Sequence, residues 1–126
     1  MVGLVVVSHS ANAADGIVEI ATEMGGDAPI EAVGGDGHGG IGTVPDGIID
    51  ALEAADEGDG VVVLVDLGSA VMNAEVAIET ADADAIIADA PALEGAVNAA
   101  VAATDPKATA DSVREQAEAA REIEKL

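Results

Sequence analysis

The sequence predicts an open, doubly wound α/β fold, with a mainly parallel sheet in the strand order 2-1-3-4 and helices on both faces. Two observations predict this class. Short apolar runs alternate with segments of helical periodicity four times along the chain, and right-handed crossovers dominate such connections. The length of 126 residues predicts a single domain over residues 1–126, because single domains most often have roughly 100–150 residues.

The first strand is predicted at Val2–Val7, an uninterrupted β-branched run that is typical of a strand buried on both faces. A helix follows, and Gly25 and Gly26 are predicted to end it. Spacings of three and four predict its buried face. That face is expected to contain Ala13, Ile17, Ile20, Ala21 and Met24.

A second strand is predicted at Ile30–Val33, followed by a glycine-rich loop over residues 34–42. Thr43 precedes Pro45 and Asp46, a pattern that predicts the N-cap of the second helix. The buried side of this helix is expected to contain Ile48, Ile49 and Leu52.

The remaining strands are predicted at Val61–Val65 and Ala85–Ala88, with a helix over Ala70–Ala81 between them. Pro91 suits the first turn of the next helix, and Asp105-Pro106 is expected to open the last one. The buried faces of these two helices are predicted to be Leu93, Val97, Ala100 and Val101, and then Val113, Ala117, Ala120, Ile123 and Leu126. Met24 and Met72 are expected to fill the core.

The charge distribution excludes two classes of partner. The formal net charge is −21, and residues 1–106 contain twenty acidic residues and no Lys or Arg. Such a surface repels nucleic acid and anionic lipid headgroups, so neither a nucleic acid nor a membrane is an expected partner. At molar salt the Debye length falls to about 3 Å, which makes crowded carboxylates tolerable. The composition therefore predicts a halophilic source, with an ordinary acidic protein as the alternative.

The absence of several residue types limits the chemistry that the chain can perform and indicates its cellular location. The chain has no Cys, Phe, Tyr or Trp, so it can form neither a disulfide nor an aromatic stacking platform. Neither a signal-peptide pattern nor a run of about 20 apolar residues is present. The cytoplasm is the expected location.

Two side chains with chemical potential follow neighbouring strands of the predicted sheet. His9 comes directly after the first strand, and Asp66 comes directly after the third. Ligands of doubly wound sheets bind beyond the carboxyl ends of the strands, where the strand order reverses. A carboxylate that accepts from one ring nitrogen of a histidine exposes the other nitrogen for attack. The pair is therefore predicted to accept a phosphoryl group.

A purely structural interpretation of this pair stays open at this stage: His9 would be a polar residue that closes a strand, and Asp66 a capping acid. The loop chemistry favours the functional interpretation. Hydroxyl and amide donors suited to an anion surround the pair without any cationic side chain. The predicted donors are Ser8, Ser10, Gly68 and Ser69.

His38, the only other histidine, lies among glycines and is expected to be a solvated residue of a mobile loop, although a role as a gate over the phosphate stays open. The loop has no Walker motif, and the sequence lacks regular metal-ligand spacings such as His-Glu-x-x-His. We therefore predict no nucleotide site, no metal site and no cofactor.

Four segments resemble one family over nearly the whole chain. They are Val-Val-Val-Ser-His-Ser at 5–10, Gly-Gly at 34–35 leading to Ile-Gly-Thr at 41–43, Val-Asp-Leu-Gly-Ser-Ala at 65–70 followed by Asn-Ala-Glu at 73–75, and Pro-Ala-Leu-Glu-Gly-Ala at 91–96. The sequence is similar to the phosphotransferase subunits of phosphoenolpyruvate-dependent dihydroxyacetone kinase, which are related to the mannose-type enzyme IIA domains. The resemblance implies that His9 is the phosphoryl acceptor, that Asp66 orients or stabilises it, and that Gly42 and Thr43 support the phosphate site.

The resemblance also implies a complete transfer route. His9 would take the group from the phosphocarrier protein HPr and pass it to ADP on the nucleotide-binding subunit of the kinase, which acts with a dihydroxyacetone-binding subunit. The chain would be a homodimeric phosphotransferase subunit. Docking in strong salt is expected to depend on apolar contact around the site. Two alternatives stay open: an enzyme IIA of a mannose-type sugar transporter, and a non-catalytic regulatory binding module of the kinase.

Overall fold

The computed structural model describes all 126 residues, which fold around one four-stranded sheet. The strand order is β2-β1-β3-β4, and every neighbouring pair is parallel. The predicted fold class and strand order are confirmed. The elements are β1 Gly3–Ser8, α1 Ala11–Gly25, β2 Ile30–Gly34, α2 Pro45–Ala55, β3 Val61–Val65, α3 Ala70–Thr80, β4 Ala85–Ile87, α4 Ala92–Ala103 and α5 Ala110–Ala119, with a 3-10 turn at Ala120–Glu122.

The two central strands are covered on both faces, as their uninterrupted apolar runs predict. All six residues of β1 are buried. Leu4 and Val6 belong to a core that α1, α4 and α5 cover, whereas Val5 and Val7 belong to a second core under α2 and α3. None of the helices is long and apolar enough to cross a membrane.

The predicted buried face of α1 is wrong at three positions. Ala13 is exposed, and Ile20 and Met24 are 44% and 63% exposed. The buried residues of this helix are instead Ala14, Ala21 and Gly25. Ile20 and Met24 therefore point to solvent, whereas Ile17 and Val18 are half-buried and pack against the core beside the small residues.

The predicted face of α4 is wrong at Leu93 and Val101, which are 37% and 51% exposed. Its buried residues are small: Gly95, Ala96, Ala99, Ala100 and Ala103. The reason is the close approach of α1 and α4. A Cβ atom on Gly25 would lie only 2.4 Å from the Cβ of Ala100, so large side chains have no room between these helices.

Two predicted helix starts are also wrong. The N-cap of α2 is Val44, without a side-chain cap hydrogen bond, and not Thr43. Helix α5 starts after Thr109, which forms a capping box with Ser112. Asp105 and Pro106 lie in the preceding turn, where the Asp105 carboxylate accepts from the Lys107 amide at 2.9 Å.

The expected core roles of two C-terminal residues and of both methionines are wrong. Ile123 and Leu126 lie beyond α5 and are exposed, and Met72 is 74% exposed, even more than Met24. The sheet and its small-residue helices fill the interior without these side chains. Val113, Ala117 and Ala120 are buried as predicted.

The register of the sheet brings the predicted site residues to one edge. Ser8 pairs with Gly34, and Val7 pairs with Val65. The amide of Asp66 then donates to the carbonyl oxygen of Val7 at 3.1 Å. The residues that follow β1, β2 and β3 therefore leave the sheet side by side.

Candidate functional site

His9 and Asp66 meet at the carboxyl edge of the sheet, where the sequence places them. Nδ1 of His9 lies 3.0 Å from Oδ1 of Asp66, and the backbone N–H of His9 donates to Oδ2 of the same carboxylate at 2.9 Å. The imidazole is thus held to Asp66 by both its ring and its main chain. This double attachment fixes the direction of the ring.

The carboxylate of Asp66 accepts two more hydrogen bonds. The Ser8 hydroxyl donates to Oδ2 at 2.8 Å, and the backbone N–H of Leu67 donates to Oδ1 at 2.8 Å. Partial burial by itself raises the pKa of Asp66, but the hydrogen bonds from His9, Ser8 and Leu67 outweigh it and lower this pKa below its usual value. Asp66 is therefore ionised at neutral pH and acts only as an acceptor.

The ionised carboxylate determines the tautomer of His9. Because Asp66 can only accept, a neutral His9 carries its proton on Nδ1, and Nε2 keeps its lone pair. Nε2 lies 2.9 Å from the Oγ atom of Ser69, which donates to it in this tautomer. The His9 side chain is 21% exposed. A nucleophilic nitrogen is therefore held at the surface of the sheet edge.

Ser8 and Ser10 shape the turn from β1 into α1. The Ser8 hydroxyl oxygen accepts from the backbone N–H of Ser10 at 3.1 Å. Ser10 is the N-cap of α1, and its hydroxyl oxygen accepts from the backbone N–H of Ala13 at 3.2 Å. Both side chains are engaged within the turn that carries His9, so their observed role is to hold that turn.

The glycine-rich loop holds the main chain of His9 from the other side. The amide of Gly42 donates to the His9 carbonyl oxygen at 2.8 Å, and the amide of Gly35 donates to the Ser8 carbonyl oxygen at 3.3 Å. The loop is closed by the Asp36 carboxylate, which accepts from the amides of His38 and Gly40 at 2.8 and 2.9 Å. These two amides lower the pKa of Asp36.

Thr43 forms no hydrogen bond with His9. Its carbonyl oxygen and hydroxyl oxygen both accept from the side-chain amide of Asn73, at 3.1 and 2.7 Å. Asn73 thereby ties α3 to the loop that holds the His9 carbonyl. The residue pattern predicted no role for Asn73. The one sequence feature that could have indicated a role is the place of Asn73 among the family-like residues 73–75.

Gly68 and Ser69 provide unused donors beside Nε2. Their backbone N–H groups make no hydrogen bond within the chain, and both residues are exposed at the start of α3. The hydroxyl of Ser69 is a third donor at this position, but in this tautomer it donates to Nε2. His38 lies apart from this arrangement: only its backbone makes a hydrogen bond, and the residue is exposed.

The arrangement defines a class of site: a neutral imidazole oriented by a carboxylate, with one nitrogen exposed among uncharged anion donors at the switch point of a parallel sheet. The sequence of residues 3–114 matches the profile of the EIIA-man family, described as the fructose IIA component of the phosphotransferase system. The chain belongs to this family. The family assignment from the resemblance is confirmed.

Two relatives and one solved structure are similar to this chain over three quarters of its length or more. The chain is 36% identical over 116 residues to the phosphotransferase subunit DhaM of the PTS-dependent dihydroxyacetone kinase of Lactococcus lactis, covering 92% of this chain and 93% of the relative. It is 42% identical to the phosphoryl donor subunit DhaM of the PEP-dependent dihydroxyacetone kinase 1 of Listeria innocua, covering 75% of each. The crystal structure of an EIIA component from Streptococcus agalactiae shares the fold, with a TM-score of 0.69 at 18% identity over 97% of this chain and 93% of that one.

Proposed function

We propose that the chain is a phosphohistidine carrier that takes a phosphoryl group from phospho-HPr on His9 and passes it to ADP on the nucleotide-binding subunit of dihydroxyacetone kinase. The observation that carries the proposal is the hydrogen bond from Nδ1 of His9 to Asp66, which leaves the lone pair of Nε2 as the nucleophile of a partly exposed ring. The names of the Lactococcus and Listeria relatives support the kinase as the destination.

The tautomer of His9 determines which atom attacks, because Nε2 carries the free lone pair. Nε2 attacks the phosphorus atom of the donor phosphohistidine, a new N–P bond forms, and the bond to the donor imidazole breaks. The His9 ring becomes positively charged, and the Asp66 carboxylate 3.0 Å from Nδ1 stabilises that charge. In the second step an oxygen of the terminal phosphate of ADP attacks the phosphorus, and the neutral imidazole returns.

The phosphoryl group would be held without a cationic side chain. No Lys or Arg forms a hydrogen bond or ion pair with His9, Asp66 or Ser69, and Arg121 is paired with Asp89 at 3.0 Å. The unused amides of Gly68 and Ser69, the Ser69 hydroxyl and the N-terminal end of α3 are the donors that remain for its oxygens. A weakly held group suits a carrier, because the phosphoryl group must leave again.

The test is mass spectrometry of the purified chain after incubation with enzyme I, HPr and phosphoenolpyruvate. We expect the mass of one phosphoryl group, located on His9 at neutral pH and lost on brief acid treatment. Omission of HPr is the control for the donor. If HPr is fully phosphorylated and His9 still receives no phosphoryl group, the proposal is contradicted.

Three exposed apolar residues lie close in the chain to residues of the site, and we propose that they form a docking rim, which we define as Ile41, Leu67 and Met72. They are 74%, 58% and 74% exposed. Ile41 precedes the amide that holds His9, Leu67 follows Asp66, and Met72 lies three residues after Ser69. The surface of the chain is strongly acidic, and salt screens the electrostatic part of any docking energy. Apolar contact provides a docking energy that salt does not screen.

Replacing Met72 with aspartate is expected to slow phosphoryl transfer from HPr about tenfold, because it places a charge in the rim and removes apolar contact area. Met24→Asp is the matched control. Met24 is also exposed, but it lies at the far end of α1, about 20 Å of helix from the end at Ala11. The initial rate of labelling at limiting HPr measures the effect, and equal rates for the two variants would exclude the rim as the docking surface.

One alternative function keeps specific support. The family profile is described as a fructose IIA component, which favours a sugar transporter as the acceptor. Phosphorylated chain incubated with either the ADP-loaded kinase or a permease complex distinguishes the two acceptors. A cytoplasmic location, a homodimer and a halophilic source complete the proposal, the first and last from composition and the homodimer from the resemblance.

A further inference from the structure

Three side chains at the sheet edge form a continuous hydrogen-bonded series. Oγ of Ser69 lies 2.9 Å from Nε2 of His9, and Nδ1 of His9 lies 3.0 Å from Oδ1 of Asp66. This is the order of nucleophile, base and orienting carboxylate that activates serine in hydrolases on unrelated folds. The phosphocarrier role uses His9 as the nucleophile and gives the Ser69 oxygen no covalent part.

The proton positions suit a serine nucleophile. The ionised Asp66 keeps the imidazole proton on Nδ1, so Nε2 accepts from the Ser69 hydroxyl. Ser69 is exposed and carries no other side-chain hydrogen bond, and its hydroxyl does not cap α3. Its oxygen is therefore accessible to a small molecule.

We propose that the unphosphorylated chain has a second activity, the hydrolysis of small activated esters with Ser69 as the nucleophile. Oγ attacks the ester carbonyl while Nε2 of His9 takes the hydroxyl proton. The alcohol or phenol leaves with that proton, and the acyl group remains on Ser69. Water then attacks the acyl-serine with His9 again as the base, which releases the acid and restores the hydroxyl.

The neighbouring structure indicates the substrate class. The unused amides of Gly68 and Ser69 are the available donors for the carbonyl oxygen as it becomes negative. A mainly apolar cleft of about 320 Å³ opens at Gly68, the residue before Ser69. It is lined by Leu67, Gly68, Val71 and Ile87 together with Asp66 and Asp89, among others. Its size and lining favour a short acyl or aryl group, and the acidic surface disfavours anionic esters.

The two activities would exclude one another, an inference that rests on the proposed function. A phosphoryl group on Nε2 removes the lone pair that Ser69 needs as its base. The esterase activity would therefore be present only in the unphosphorylated chain.

The test is hydrolysis of p-nitrophenyl acetate by the purified chain at neutral pH, with no phosphotransferase protein present. We expect Ser69→Ala to lower the hydrolysis rate about 100-fold after the uncatalysed rate is subtracted. The variant loses the nucleophile and, with it, the contribution of its general base, for which about 100-fold is the lower end. His38→Ala is the matched control and should keep the rate, because the His38 side chain makes no hydrogen bond and the backbone bond to Asp36 is retained.

Two outcomes would overturn the proposal. An unchanged rate in Ser69→Ala would mean that Nε2 of His9 attacks the ester directly, without the serine. Peptide mass spectrometry at an early time point that finds acetyl on exposed Ser112 as readily as on Ser69 would mean that reaction is unselective. Circular dichroism confirms that Ser69→Ala is folded. Since the ester assay needs no HPr and the labelling assay needs no ester, either proposal can fail while the other stands.

Discussion

Dihydroxyacetone phosphorylation from phosphoenolpyruvate should stop when His9 is replaced by alanine. In a reconstituted mixture of enzyme I, HPr, this chain and the kinase subunits, we expect the rate to fall to that of the mixture without the chain. The physical reason is that Nε2 of His9, opposite the Asp66 hydrogen bond, is the only covalent carrier between HPr and ADP in the proposed route. Formation of dihydroxyacetone phosphate, followed by a coupled enzyme assay, measures the effect.

His38→Ala is the control for this experiment, since it removes the other imidazole of the chain. It should support the full rate, because His38 contributes only a backbone hydrogen bond to the loop. A reconstituted system that runs normally with His9→Ala would identify the chain as a regulatory binding module of the kinase. That result would leave the fold and the family unchanged and reject the carrier role.

Gly25→Ala should destabilise the fold strongly for so small a change. The added Cβ atom would lie 2.4 Å from the Cβ, 2.8 Å from the carbonyl carbon and 2.9 Å from the carbonyl oxygen of Ala100. Two of these atoms belong to the backbone of α4, so relief requires a shift of α1 against α4. We expect the free energy of unfolding to fall by about 2–3 kcal/mol, at the upper end of overpacking effects.

Gly16→Ala is the matched control, because it makes the same change in the same helix where nothing lies within 4 Å of the added atom. Alanine is the better helix former in the interior of a helix, so this variant should gain about 0.5–1 kcal/mol. Urea unfolding at fixed pH and salt measures both variants. If both shift the midpoint in the same direction, the close contact between α1 and α4 does not control stability.

The strands and the candidate pair, His9 and Asp66, were predictable because their signals are local. Runs of β-branched residues identify strands buried on both faces, and the residue after each run must lie at the carboxyl edge of a parallel sheet. This reasoning placed His9 and Asp66 together, and the two are hydrogen-bonded. It needed no knowledge of how the helices pack.

The faces of α1 and α4 were poorly predicted because periodicity assumes that larger apolar residues face inward, whereas Ile48 and Leu52 of α2 are buried as predicted. In α1 and α4 the distance between the helices decides instead. Ala21, Gly25 and Ala100 occupy the interface, and Ile20 and Met24 are left exposed. A sequence rich in alanine offers several faces of similar hydrophobicity, and only the neighbouring helix selects one of them.

By itself, the sequence determined the α/β class, the acidic surface and the two candidate residues at strand ends, because each depends on composition or on residues adjacent in the chain. The strand order was predicted as the common order of this fold class, and the structure confirms it. The tertiary structure alone decided that Ser69 meets Nε2 and that Asn73 holds Thr43. These contacts join residues 60 and 30 positions apart. Their geometry depends on strand register and on where α3 begins, and hydrogen bonds tolerate errors of only a few tenths of an ångström.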